Sequence, residues 1–441
     1  AFIEQNDLYG LAKRDLGDEE IARRFMAAAL PDRLTRQLAA YLAKVRVPLA
    51  VRSSSLLEDA QYRAYAGLYN TYMLANDRDD ADCRLAQLAG AVKMVFASTY
   101  FSAPKAFSRR VGHRTEEEKM AVMVQQLVGA RWGSHFYPAI SGVAQSWNYY
   151  PFQQMTPQDG VAAIALGLGK SVMGGESSLR FSPRHPRLLP DRSTLDDLLA
   201  NAQRYFYALE MGSAAWELGV DDSATLARRE ICDATDEAPV RTLSSAYDYR
   251  EGRIRDAFHG SSSPVVTFHP VLKYNTWPLS GILSDLLAIG EAGMGSPVEM
   301  EFCMNLPPAP DAPAEFAVLQ LRPMGAREEL MQVDITGDEI DRALVCSRRA
   351  LGNTVSYGIR DVVYVKPDGF DPAKTPVIAK EIGKINARLR RSGRRYLLIG
   401  PGRWGSADRW LGIPLRWEGI SGVGAIVEAD HPRLRAEPSQ G

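Results

Sequence analysis

Two β-rich runs, "VEMEFCMNL" (298–306) and "EFAVLQLRPM" (315–324), flank the proline-rich stretch "PPAPDAPA" (307–314). Proline lacks a backbone donor, so this stretch belongs at an exposed connection and the flanking runs at the arms of a hairpin. Side chains alternate along a strand, so Glu299 and Glu301 share one face, as do Gln320 and Arg322. Paired, the arms bring two carboxylates, an amide oxygen and a guanidinium together. Oxygen donors suit Mg²⁺, which binds through one or two carboxylates plus substrate phosphates, and an arginine beside it neutralises phosphate charge. The same pattern also fits the solvated polar face of an edge hairpin.

Two further stretches suit an anion. In "VPLAVRSSSLLED" (47–59) an apolar run stops at Arg52 and three serines, which offer a planar donor fork, hydroxyls and backbone N–H groups. An ion pair from Arg52 to Glu58 or Asp59 beside a serine turn accounts for it equally. "GLGKSVMGG" (167–175) places Gly167, Gly169, Gly174 and Gly175 after the strand-like "VAAIAL". It is not a P-loop, because that motif needs glycine where this chain has Ile164. It suits either a glycine-rich flap over phosphates or a plain hairpin turn.

The chain of 441 residues suggests two or three domains. Its 52 basic and 53 acidic residues argue against a general nucleic-acid or membrane-surface binder. Cys83, Cys232, Cys303 and Cys346 lie far apart with no zinc-site spacing, which fits a reducing cytoplasm. The longest weakly apolar run, 160–169, is half of a bilayer span. The chain opens on Ala1 and closes on "AEPSQG", and we expect a fragment cut at both ends that continues past Gly441.

Apolar periodicity predicts helices across 17–45, with Pro31 opening the second, and across 82–110. "MAVMVQQLV" (120–128) reads as a strand, as do segments within 137–151 and 160–183. We expect helix at 194–218, a loop-rich insertion at 219–263, strand in "SPVVTFHPVL" (263–272) and helix in "LSGILSDLLAIGEAG" (279–293). From 327 the expected order is helix (336–351), strand (361–367), helix (378–392) and strands (395–402, 422–429), an α/β pattern.

Taken in order, "VRSS", "AGLYNTY" (66–72), "VQQLV", "SGVAQS", "GLGKSVMGG" and "E…QLRP" resemble the nucleotide-binding domain of the phosphoenolpyruvate synthase and pyruvate phosphate dikinase family, over about residues 40–325. The resemblance implies an α+β, two-lobed ATP-grasp-like domain followed by a small α/β domain. Its expected boundaries are 1–130 (first lobe), 131–326 (second lobe) and 327–441. It implies ATP and Mg²⁺ as cofactors and dikinase-type phosphotransfer. Arg52 would contact phosphates, and Gly67 and Thr71 would line the nucleotide pocket. Gln125 would sit near adenine, and Gly167, Gly169, Gly174 and Gly175 would form the loop over the triphosphate. Glu301 and Gln320 would hold Mg²⁺, and Arg322 would hold phosphate.

The chain departs from the family in several places. Residues 1–46 hold no Gly-Gly-Lys segment, Lys170 follows Gly-Leu-Gly where an acidic residue is usual, and the Glu301-to-Gln320 connection is long. The family passes phosphate through a histidine in a Gly-Gly-x-Thr/Ser-x-His motif. His113, His135, His185, His259, His269 and His431 all lie outside such a motif. The histidine carrier and the pyruvate/phosphoenolpyruvate-binding domain are therefore expected elsewhere. His185 and His269 read as turn or core residues. A non-catalytic ATP sensor, and a dikinase for a glucan or an antibiotic, are the competing readings. "GPGRWGS" (400–406) together with "VPLAVRSSSLLED" resembles a bacterial group of pyruvate/phosphoenolpyruvate-binding proteins. Its glycines beside Arg403 and Trp404 suit an anion or sugar, or a tight turn around a packed Trp. The five arginines of "RLRRSGRR" (388–395) suit an exposed helix C-terminus or a nucleic-acid patch.

Overall fold

The computed structural model describes residues 2–434, apart from 13, 15, 56–68, 112–118, 150, 152–153, 174–176, 190–194, 213–217, 222, 257, 259–261, 308–311, 325–334, 348–357, 406–409 and 416. Contacts divide the chain into Ala1–Arg327 and Glu328–Gly441.

The first unit contains two separate hydrophobic cores. One is built from α1 (Phe2–Gln5), α2 (Asp18–Ala27), α3 (Asp32–Lys44), β1 (Leu49–Ser54), β2 (Tyr72–Leu74), α4 (Ala81–Ser98), α5 (Ser102–Val111) and β3 (Ala121–Gln126). Asp18, Glu19 and Glu20 occupy the first turn of α2, where the helix dipole favours negative charge, while Ile21, Ala22 and Phe25 are buried. Pro31 caps α3 from outside, where its missing N–H costs nothing. The Asp80 side chain caps α4 by accepting from the backbone N–H of Asp82 at 3.0 Å. The sheet runs β2-β1-β3, all antiparallel. Leu49, Val51, Tyr72 and Leu74 point into the helical core, with Val122 and Val124 packed beside them. By alternation Ala50, Arg52 and Gln125 occupy the other face.

The second core lies around β4 (Ala130–Trp132), β5 (His135–Tyr137), β6 (Ile140–Gln145), β7 (Val161–Ala165), α6 (Lys170–Met173), β8 (Leu179–Phe181), α7 (Leu195–Ala200), β9 (Tyr205–Glu210) and β10 (Leu226–Glu230). It continues through α8 (Ala238–Leu243), β11 (Ser244–Asp248), β12 (Arg253–Arg255), β13 (Ser263–Val266), α9 (His269–Leu272), α10 (Leu279–Met294), β14 (Val298–Asn305) and β15 (Glu315–Pro323). Gly295, at φ +66°, ends α10 in the left-handed conformation that glycine tolerates. The principal sheet is antiparallel, in the order β15-β14-β6-β7-β8. Its apolar face carries Ala144, Ala162, Ile164, Leu179, Phe181, Met300 and Phe302, in one core with Leu283 and Leu287 of α10.

Gly142 lies opposite Phe302 in the register. A Cβ there would come within 2.3 Å of the Phe302 ring and 2.8 Å of the Ala163 carbonyl oxygen. Gly142→Ala is therefore expected to destabilise the first unit by about 1–3 kcal/mol, the usual cost of overpacking. Urea unfolding checks this, and an unchanged midpoint would show that the ring moves aside freely.

Several expectations from the sequence need correction. Among the described residues of 194–218 only Leu195–Ala200 is helical, and Tyr205–Glu210 is a strand. The aromatic-rich "YFYALE" pairs with β5 and β10, burying Phe206 and Ala208 on one face, a period of two rather than 3.6. Nor is 219–263 merely loop-rich, since it supplies β10, α8, β11 and β12. Its polarity misleads because Arg228 and Arg229 lay their guanidinium groups 3.7 Å from the Tyr205 ring centroid and 5.4 Å from that of Phe206. The guanidinium groups thus cover aromatic surface, and Arg229 also pairs with Glu237 at 2.8 Å. The run "SPVVTFHPVL" is a strand only to Val266, because Phe268 turns to φ +52° and His269–Leu272 is helical.

The second unit holds α11 (Gly337–Arg342), β16 (Ile359–Tyr364), α12 (Thr375–Arg391), β17 (Arg395–Pro401), β18 (Arg403–Trp404), β19 (Gly412–Ile413) and β20 (Val423–Ala429). Its three-stranded sheet is parallel, in the order β16-β17-β20, with α12 as a crossover helix. The arginine cluster is the basic end of α12, where Arg390 donates to Ser421 Oγ at 2.9 Å and Arg394 pairs with Asp361. In "GPGRWGS" a Cβ on Gly400 would strike the Trp404 ring at 2.5 Å. Trp404 donates from its indole to the Val427 carbonyl at 3.1 Å and from its backbone to Glu428 at 2.9 Å. This is a tight turn around a packed tryptophan.

Candidate functional site

The principal sheet turns its other face away from the α10 core, and that face is polar. Two rows of side chains cross it, each set by strand register. In the first row Gln145 of β6, Glu299 of β14 and Arg322 of β15 are direct cross-strand neighbours. Arg322 donates from Nε to Glu299 Oε1 at 2.8 Å and from Nη2 to the same oxygen. Gln145 Nε2 donates to Glu299 Oε2 at 2.7 Å. In the second row Val143, Glu301 and Gln320 are neighbours. Just past Glu301 the β14–β15 register shifts, since Phe302 pairs with Val318 and Leu319 is left over. Such bulges re-aim side chains and are common beside functional sites.

Arg52 reaches this second row from the other core. Its Nη1 donates to Glu301 Oε2 at 3.2 Å and its Nη2 to Gln320 Oε1 at 2.6 Å. Arg52 and Glu301 are 18% and 21% exposed, so the pair is sheltered yet open to a ligand. Arg52 is 249 residues from Glu301 in the chain, and their contact joins two sheets that rest on different cores. Arg322 stands one row along the same hairpin, beside the same cluster.

The remaining candidates are placed as follows. Thr71 stands next to Tyr72, the partner of Val51, and so lies alongside Arg52 at the head of β2. Gln125 pairs with Ala50, on the Arg52 face of that sheet. Gly167 follows β7 at φ +92°, and a Cβ on it would lie 2.8 Å from the Tyr207 carbonyl oxygen. Its own carbonyl accepts from Ser141 Oγ at 2.6 Å, and Leu168 N donates to Tyr207 O at 2.9 Å. The glycine stretch is thus pinned at its start, while the space around Gly169 is open. Lys170 Nζ lies 5.8 Å from the Tyr207 ring centroid. Gly67, Gly174 and Gly175 lie outside the described residues.

The sequence reading passed over other residues of this face. Gln145 is one. Arg180 is another, since it pairs with Ala163 between buried Leu179 and Phe181 and so lies on the polar side. Alternation in "SLRF" and "SGVAQS" was the available signal. Ser141 and Cys303 also meet here, with Oγ and Sγ 3.4 Å apart. Burial first, with the Glu301 charge adding to it, pushes the Cys303 thiol up to about 11, so it stays protonated and inert at neutral pH.

Of the described histidines, His185 Nε2 is 3.3 Å from Asp159, and His269 Nδ1 is 3.2 Å from Thr267 Oγ1. Burial holds His269 below the usual imidazole range. His113 and His259 lie outside the described residues. Among the described residues no group of three or more His, Cys, Asp or Glu could hold a metal by itself. Glu301 and Gln320 nevertheless turn an oxygen each toward one guanidinium, so the two oxygens converge. That set fits a hard divalent cation that draws its other ligands from a phosphate chain and water.

The helices and sheets that carry these side chains define a mixed α+β protein. Residues 3–342 match the family described as "Pyruvate phosphate dikinase, AMP/ATP-binding domain", and the chain belongs to that family. A comparison with curated proteins finds no match. Among the described residues no helix is long and apolar enough to cross a membrane.

Proposed function

We propose that the chain binds ATP with Mg²⁺ as the nucleotide domain of a phosphoenolpyruvate synthase-type dikinase. The two cores act as lobes that close on the nucleotide. The convergence of Arg52 on Glu301 and Gln320 carries this reading, because it brings a phosphate-type cation onto the oxygens expected to hold the metal. Arg52 and Arg322 grip the phosphates, and Glu301, with Gln320, holds Mg²⁺, which supplies charge neutralisation when bound. Thr71 and Gln125 line the nucleotide side from the first lobe. The glycine stretch from Gly167 to Gly175 lies over the phosphates and lets backbone N–H groups approach them. Phosphate then passes to a histidine on another domain, since none of the six histidines here lies in a carrier motif. Expected partners are that carrier and a pyruvate/phosphoenolpyruvate-binding domain, in the cytoplasm.

Calorimetric titration tests the binding half. We expect tight binding of ATP in Mg²⁺ and much weaker binding in EDTA, and no heat of binding in either would sink the reading. Phosphohistidine on the full-length gene product after incubation with ATP would establish transfer. Tight binding with no turnover there would instead make the domain a nucleotide sensor.

A further inference from the structure

We infer that Gln145 is a positioning residue that sets the Arg322 guanidinium for phosphate through Glu299. The inference rests on the reading of Arg322 as a phosphate contact. Gln145, Glu299 and Arg322 form one straight row across three adjacent strands, with both pairings given by backbone register. Glu299 divides its oxygens between its neighbours, Oε2 to Gln145 and Oε1 to Arg322. The terminal torsion of a glutamate is soft, so a carboxylate held by one partner rotates easily. The Gln145 bond removes that freedom. With Oε2 engaged, Arg322 meets Glu299 at Oε1, through Nε and Nη2. A guanidinium held along one edge has its plane fixed, and a planar phosphate grip depends on that plane. Glu299 and Arg322 are each only 16% exposed, so little water is available to replace a lost partner.

Calorimetry on Gln145→Met, which keeps the size and removes the donor, tests this with ATP, ADP and adenosine as probes in the presence of Mg²⁺. We expect ATP affinity to fall about tenfold, the low end for a hydrogen bond to a charged group, with adenosine affinity unchanged. In an Arg322→Ala background the same change should add nothing, because the row is already broken. Gln145→Asn, which keeps the amide but draws it back, should fall between wild type and Gln145→Met, and serves if Gln145→Met does not fold. Equal losses for ATP and adenosine would show a merely structural role and overturn the inference. So would an unchanged ATP affinity in Gln145→Met when Arg322→Ala weakens binding. Unchanged ATP affinity in Arg322→Ala would remove the phosphate reading of Arg322, and this inference with it.

Discussion

Arg52→Ala is expected to weaken binding of ATP with Mg²⁺ about 100-fold, from the loss of roughly two charge-assisted hydrogen bonds. Arg52 contributes in two ways. Its guanidinium supplies the donors for phosphate, and it links β1 to Glu301 and Gln320. Removing it leaves Glu301 without its opposite charge and loosens the approach of one sheet to the other. The fold should survive, because the same strand buries Leu49 and Val51 fully, and these hold it to the helical core. Arg52→Lys should recover only part of the loss, since it keeps the charge but not the planar fork. The measurements are calorimetric affinity and the thermal midpoint. Wild-type affinity in Arg52→Ala would remove Arg52 from the site, and a collapsed midpoint would make the residue structural.

Glu301→Gln should abolish most of the dependence of ATP affinity on Mg²⁺. Losing only a group that hydrogen-bonds to a metal ligand costs roughly 10–100-fold in metal affinity, so losing a carboxylate ligand should cost no less. The variant keeps an acceptor oxygen for Arg52 and nearly the same volume, so packing is preserved. The sign differs without metal. A carboxylate beside phosphates repels them, so in EDTA Glu301→Gln should bind ATP as well as wild type or better. Paired titrations in Mg²⁺ and in EDTA read both effects. Full Mg²⁺ stimulation in the variant would exclude Glu301 as a ligand.

How much of this was legible beforehand depends on the range of each interaction. Helices α2, α3, α4 and α10 and the β14–β15 hairpin follow their sequence periodicity closely. The strand Tyr205–Glu210 departs from the expected helix, because its short period of two is completed only by pairing with β5 and β10. At the site, Glu299, Glu301, Gln320 and Arg322 were recognisable as a shared face. Alternation in their own segments puts Gln145 and Arg180 on the side away from the buried residues, but that this side is the one shared with Glu299 depends on which strand lies next to which.

The sequence by itself determined the elements whose rules are local: caps, turns, helical stripes and the alternation that puts carboxylates and a guanidinium on one side of a hairpin. Covalent geometry sets these within a few residues. Only the tertiary structure decided that Arg52 meets Glu301 and Gln320, and that Gln145 shares Glu299 with Arg322. Those meetings depend on two hydrophobic cores each burying one face of a sheet, which leaves the opposite faces, with Arg52 on one and Glu301 on the other, to come together. Burial is summed over a whole core, so no short stretch of the chain encodes it.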